Sequence, residues 1–235
     1  MIKEKKHSED LPVNIEKHPK QDFQVERLAF FSDAIFAIAI TLMVIELKVP
    51  IVTDNTTVQD VWNQLFDLKY HLLAILLSFL LIATYWRHHH FLFKYIHNYN
   101  NPILSANMLV LLPIIFFPFT TAFWAESTAS SQINPEIYVL GLRFWALNHV
   151  LALLAIYILY WLAIVKYKEM SYKIPAKEKF GFISIVWFKI IIFAAIFVIT
   201  FFTNNAAVFA IGILIAVLLF RIFQRIFKKI NGKLK

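Results

Sequence analysis

Cysteine is absent from all 235 residues, which excludes disulfides and thiolate metal sites. Glycine is almost absent too, with four residues and none before Gly141. Charged residues make up 16% of the chain, too few to coat a soluble domain of this size, which would also need more glycine at its turns. The basic amino-terminal stretch (Lys3, Lys5, Lys6, Lys17, Lys20) has neither the apolar core nor the small-residue cleavage site of a signal peptide. The first apolar run is therefore expected to remain in the protein as a span. No paired catalytic carboxylates and no nucleophile–base constellation stand out, which argues against a membrane enzyme.

What the chain has instead is hydrophobic residues, 60% of the total. They gather in runs of roughly twenty, the length a helix needs to cross a hydrocarbon core of about 30 Å. Six runs can be delimited: Leu28–Val49, Leu68–Phe93, Pro102–Ala125, Ile137–Val165, Phe180–Thr203 and Ala206–Phe223. The last two are expected to form a hairpin turned at Thr203, Asn204 and Asn205. The expectation is an all-α integral membrane protein with a polar tail over residues 1–26, a six-span domain over 27–223 and a basic tail over 224–235.

Nineteen of the 23 Lys and Arg residues fall before the first span, in the second and fourth connections, or after the last span. By the positive-inside rule this makes the protein a multi-pass component of the cell membrane with both termini cytoplasmic. The same distribution gives no support to a nucleic-acid partner, because the basic residues flank apolar runs as expected at a lipid surface. No internal repeat is evident, so a transporter built from inverted halves is disfavoured. An axial pathway made by several copies around a rotation axis fits better.

The first run carries a polar anomaly. Asp33 lies within it, about 9 Å along a helix from Arg27. An ionised carboxylate in hydrocarbon costs roughly 2.5–3.5 kcal/mol at mid-bilayer and less near the ends, so Asp33 needs a partner or a wet crevice. Beyond it Ile38, Thr41, Leu42 and Ile45 fall on one helical face. Such a stripe is most often plain helix packing. Around an axis it would form a dewetting constriction, with Thr41 adding a layer of hydroxyl oxygens.

Other polar residues tempt a functional reading. His88, His89 and His90 cannot ligate one metal from a single helix, because successive side chains point about 100° apart. One or two of them, with Trp86 and Asn107, are expected to hydrogen-bond Ser32 and Asp33. Lys189 in the fifth run is expected to snorkel or to find a partner in the bundle. Arg143 is expected near an interface, His149 as a packed, hydrogen-bonded histidine, and Pro113 and Pro118 as bends in the third span.

The pattern Arg27-x-x-x-Phe31-Ser32-Asp33 with its following Ala-Ile-Phe-Ala-Ile-Ala-Ile-Thr run resembles the signature of the bacterial branch of the transmembrane protein 175 family of potassium channels. Tyr85-Trp86 followed by His89-His90-x-x-Phe93 resembles that family's second span, and Asn107 with Pro113 and Pro118 its third. The last three runs fit only in number and hydrophobicity. The resemblance implies a homotetramer lined by four copies of the first helix, passing potassium without a Thr-Val-Gly-Tyr-Gly filter and without a cofactor. It places Ile38 at the tightest constriction, Leu42 and Ile45 at further apolar levels, and Thr41 at the hydroxyl layer that discriminates between cations. It also implies that Arg27, Phe31, Ser32, Asp33, Trp86, His89, His90 and Asn107 anchor the pore helix. The rival expectation is a proton-permeable or coupled transporter, against which stands the lack of broken helices and of an ionisable chain across the spans.

Overall fold

The computed structural model describes residues 21–129 and 134–205, together with positions 208, 212, 215, 218, 219, 221–223 and 225. The described chain is helical throughout, with one isolated bridge between Ile96 and Ser171. Its elements are α1 (Gln21–Ile45), α2 (Val58–Asp67), α3 (Lys69–Phe93), α4 (Asn101–Ala129), α5 (Pro135–Tyr160) and α6 (Ala176–Ile199). A π-helical turn (Trp161–Lys166) and a 3-10 turn (Lys168–Met170) follow α5.

Five of these helices are long and apolar enough to cross a membrane. A helix is the form that satisfies its own backbone inside lipid, and no glycine before Gly141 interrupts the first three spans. At 25 residues, α1 and α3 each reach about 37 Å, more than a hydrocarbon core of about 30 Å requires. The sixth expected span lies mostly outside the described residues; the described positions from 208 to 225 are helical. Between Ile199 and that stretch the chain passes through turn and coil at 200–205, where the hairpin was expected.

Helix ends follow local chemistry. Asn134 caps α5 by accepting from the Ile137 N–H at 3.3 Å, with Pro135 at the first helical position, where its missing donor costs nothing. Pro175 immediately precedes α6. One element was not foreseen. The first connection holds the 10-residue α2, opened by a capping box in which Thr57 and Asp60 serve each other's backbone N–H groups. The Thr57 hydroxyl, and then its N–H, hold the Asp60 carboxyl below the usual carboxylate range.

The core runs along α4, which is buried for much of its length and packs on α5, α1 and α3, while α6 packs on α5. Lipid tails are as apolar as leucine, so close packing and interhelical hydrogen bonds hold such a bundle together. At Gly141 of α5 an added methyl would overlap the side chain of Ser127 and press on the Phe123 carbonyl, so the helices approach here as only glycine permits. Asn148 of α5 donates to the Pro113 carbonyl at 3.0 Å, and both prolines sit inside an unbroken α4. Arg143 bonds the Thr200 hydroxyl and carbonyl at 3.1 and 2.6 Å and lies over the Phe201 ring, which ties α5 to the end of α6.

The two ends of the bundle are tied separately. On the side where α3 ends, the backbone N–H groups of Tyr172 and His97 donate to the Tyr95 and Met170 carbonyls at 2.8 and 3.1 Å. These bonds join the α3–α4 and α5–α6 connections. At the opposite side Glu126 of α4 receives His71 of α3 at 3.1 Å and Lys48, just past α1, at 3.6 Å.

Candidate functional site

The first helix divides cleanly into two faces. Val25, Leu28, Ser32, Phe36, Ala39 and Met43 recur every three or four residues and are buried against α4 and α3. Opposite them Arg27, Phe31, Ala34, Ile38, Thr41, Leu42 and Ile45 share a second stripe that the rest of the chain leaves exposed. Ile38, Leu42 and Ile45 are 55%, 40% and 74% exposed. The four residues singled out as a possible constriction thus lie on the side of α1 turned away from its own bundle.

Thr41 gives that stripe its polar atom. Its hydroxyl donates back into the helix, to the Ile38 carbonyl at 2.9 Å, with the Ala37 carbonyl at 3.2 Å. The proton is thereby used, and the oxygen lone pairs remain as acceptors. A helix presenting apolar rungs with one acceptor layer can exclude water along most of its length and still offer oxygen to a cation at one level.

The buried face holds a polar chain across three helices. Asn107 of α4 donates to the Ser32 hydroxyl at 2.9 Å, and Ser32 passes its own proton to the Leu28 carbonyl at 2.9 Å. The other end of the Asn107 amide accepts from His89 of α3 at 2.8 Å, which fixes the proton on His89 Nε2. Ser32, His89 and Asn107 are all buried. The His89 ring stacks on Phe93 at 4.5 Å and lies 5.5 Å from Phe36 of α1. One turn earlier on α3, the Trp86 indole donates to Asp33 at 2.8 Å. That bond gives the half-buried carboxylate a partner within the apolar run.

Not every expected residue joins this chain. His90 lies against the Trp86 ring at 5.5 Å, a packing contact. Arg27 lies 6.0 Å over the Phe23 ring, and Phe31 is exposed on the outward stripe beside it. The three successive histidines point apart: His88 meets Lys189 at 3.1 Å, His89 meets Asn107, and His90 meets Trp86.

Other polar pairs were not specified by the sequence. Lys189 of α6 donates to the Thr84 hydroxyl at 2.9 Å as well as to His88, so it finds a partner in the bundle. Tyr85 pairs with the buried Nδ1 of His149 at 2.6 Å. The Ser78 hydroxyl receives both Thr121 at 2.8 Å and the Trp145 indole at 3.2 Å. Each joins residues more than forty positions apart, and no local spacing announces such pairs. The capped α2 is different, because Thr57-x-x-Asp60 before apolar residues at helical intervals is a signal that sequence alone could have read.

Comparison with known proteins bears on this arrangement directly. The family model described as the endosomal/lysosomal potassium channel TMEM175 matches residues 27–118, the stretch that holds the anchor and the outward stripe. A potassium channel of Chryseobacterium sp. (strain P1-3) is 34% identical over 123 residues, and one of Chamaesiphon minutus is 40% identical over 108. These alignments cover 52% and 46% of this chain, and 60% and 52% of the relatives. The chain thus matches little more than half the length of these curated relatives.

The crystal structure of a lysosomal potassium-selective channel TMEM175 homologue from Chamaesiphon minutus superposes with a TM-score of 0.62 at 25% identity. That match covers 83% of this chain and 97% of the other. A variant of the potassium channel MtTMEM175, bound to a nanobody fusion, has the same fold, with a TM-score of 0.61 at 18% identity over 91% of this chain and 99% of the other. Through its first three spans the chain is similar to the TMEM175 potassium channels, and over most of its length it shares their fold.

Proposed function

We propose that this chain is one subunit of a potassium channel, four copies of which surround an axis lined by α1. One observation carries the reading: a spanning helix hydrogen-bonded to its bundle on one face leaves an apolar stripe with one acceptor layer exposed on the other. Names support it too, since the matching family and relatives are described as potassium channels.

In this assembly Ile38, Leu42 and Ile45 form successive apolar rungs, and Thr41 supplies the oxygen layer that a partly dehydrated cation meets. Such a pore conducts only when the rungs are wide enough to stay wet. Ser32, Asp33, Trp86, His89 and Asn107 set the rotation of α1, because turning it would break bonds on α3 and α4 together. Six apolar runs support six spans, and the distribution of Lys and Arg supports placing both termini in the cytoplasm.

The test is flux through purified protein in liposomes under opposed potassium and sodium gradients, with native mass spectrometry of the same preparation. Passive potassium current from a four-chain particle is the expected result. Flux that stops without a second, coupled solute or a proton gradient would replace the channel with a transporter.

A further inference from the structure

The short α2 contributes no buried residue to the fold, yet it is strongly amphipathic. At about 100° per residue, Val58, Val61, Trp62, Leu65 and Phe66 fall within an arc of about 140°. The opposite side is wholly polar: Gln59, Asp60, Asn63, Gln64 and Asp67. Trp62 and Phe66 are 63% and 69% exposed. The folding of the chain alone does not explain why an apolar face with a tryptophan at its centre is left bare.

Position narrows what can cover it. A single residue, Leu68, separates α2 from the spanning α3, and its backbone stays right-handed helical. α3 is long enough to cross the hydrocarbon by itself, so α2 is surplus length at the boundary where α3 enters. Exposed apolar residues follow on α3 itself, at Leu72, Leu73, Leu76 and Leu80, so bare apolar surface lies on both sides of Leu68. Between them Lys69 lies over the Phe66 and Tyr70 rings at 4.3 and 5.1 Å, as a lysine does when its stem is in apolar surroundings and its charge reaches the headgroups.

We propose that α2 is an interfacial helix, lying in the headgroup region of the leaflet where α1 ends with its Trp62 face in the acyl boundary. It thereby holds the far end of the first helix to the membrane surface. Gln64 of α2 clasps the Ile51 backbone by both N–H and carbonyl, at 2.8 and 3.2 Å, so the α1–α2 connection is tied to this helix. The inference rests on the membrane-spanning character of α3 and is independent of ion conduction.

The absence of native cysteine makes the test direct. Trp62→Cys, Phe66→Cys, Asp60→Cys and Asn63→Cys variants, each carrying a nitroxide, are reconstituted in phosphatidylcholine vesicles. Collision with oxygen is compared with collision with a water-soluble nickel chelate. Labels at 62 and 66 should favour oxygen several-fold over labels at 60 and 63. Equal access of the chelate to all four positions overturns the proposal by placing α2 in water. Shielding of 62 and 66 from both reagents overturns it by placing a second copy there. The unaltered protein gives an independent reading: phosphatidylcholine with a photoreactive group near the glycerol should form adducts at Trp62 or Phe66 and none at Asp60 or Asn63. Adducts restricted to α3 would count against an interfacial α2.

Discussion

Trp86 donates its indole hydrogen to Asp33 across 2.8 Å, from the third helix of the chain to the first. The carboxylate sits at the border between the buried and exposed faces of α1, so this bond acts on rotation as well as on charge. Trp86→Phe keeps the ring and removes the donor. The expected loss is about 1.5–3 kcal/mol, the range for a hydrogen bond to a charged group, read as a lower thermal midpoint in size-exclusion assays. An unchanged midpoint would assign the Asp33 charge to another partner.

Asn107 should show coupling to the residues on both sides of it. Asn107→Leu strands the His89 Nε2 proton in an apolar setting, a cost of about 1–3 kcal/mol. Ser32→Ala should cost less in the Asn107→Leu background than in the wild type, with a coupling of about 0.5–3 kcal/mol as for groups in one network. Strict additivity in the double-mutant cycle would deny that the chain acts as a unit.

Ile38→Asn should wet the outward stripe of α1 at its middle rung. Reversal potentials under potassium and sodium gradients should then shift toward non-selective values while the protein still assembles. Thr41→Val keeps the shape of the side chain and removes the acceptor, and it too should reduce discrimination. Unaltered selectivity in both well-folded variants would falsify the assignment of this face to the ion path.

Gly141→Ala forces the side chain of Ser127, or the α4–α5 spacing, to give way. Overpacking of this kind costs about 1–3 kcal/mol. Ser127→Gly removes the overlapping atoms and should recover much of the loss when combined with Gly141→Ala. A single variant as stable as the wild type would mean that the two helices are free to separate.

Much of the architecture was legible from residue order, because the bilayer imposes one rule on every span. Runs such as Ala34–Ile45 and Leu72–Ala83 must be helical, since only a helix satisfies its backbone within one segment. Asp33 was marked by cost alone, and the His88–His90 triplet was separated by the 100° step between neighbours. The membrane also hid things. Lys189 with Thr84 and His88, and Tyr85 with His149, are pairings between distant segments, set by how helices rotate against one another. Periodicity reports that a helix has faces; it does not report which neighbour each one meets.

By itself the sequence determined that this chain is helical and lipid-embedded, that an acid in its first span needs a partner, and that Ile38, Thr41, Leu42 and Ile45 share a face. Those conclusions need only chain geometry and the cost of polar groups in hydrocarbon. Only the tertiary structure decided which partner each takes, Asn107 for Ser32 and Trp86 for Asp33, with His89 bound to Asn107, and that the Ile38 face is the one left open. The physical reason is that burial is a property of pairs of surfaces. A stripe becomes interior or exterior only when another helix settles, or fails to settle, against it.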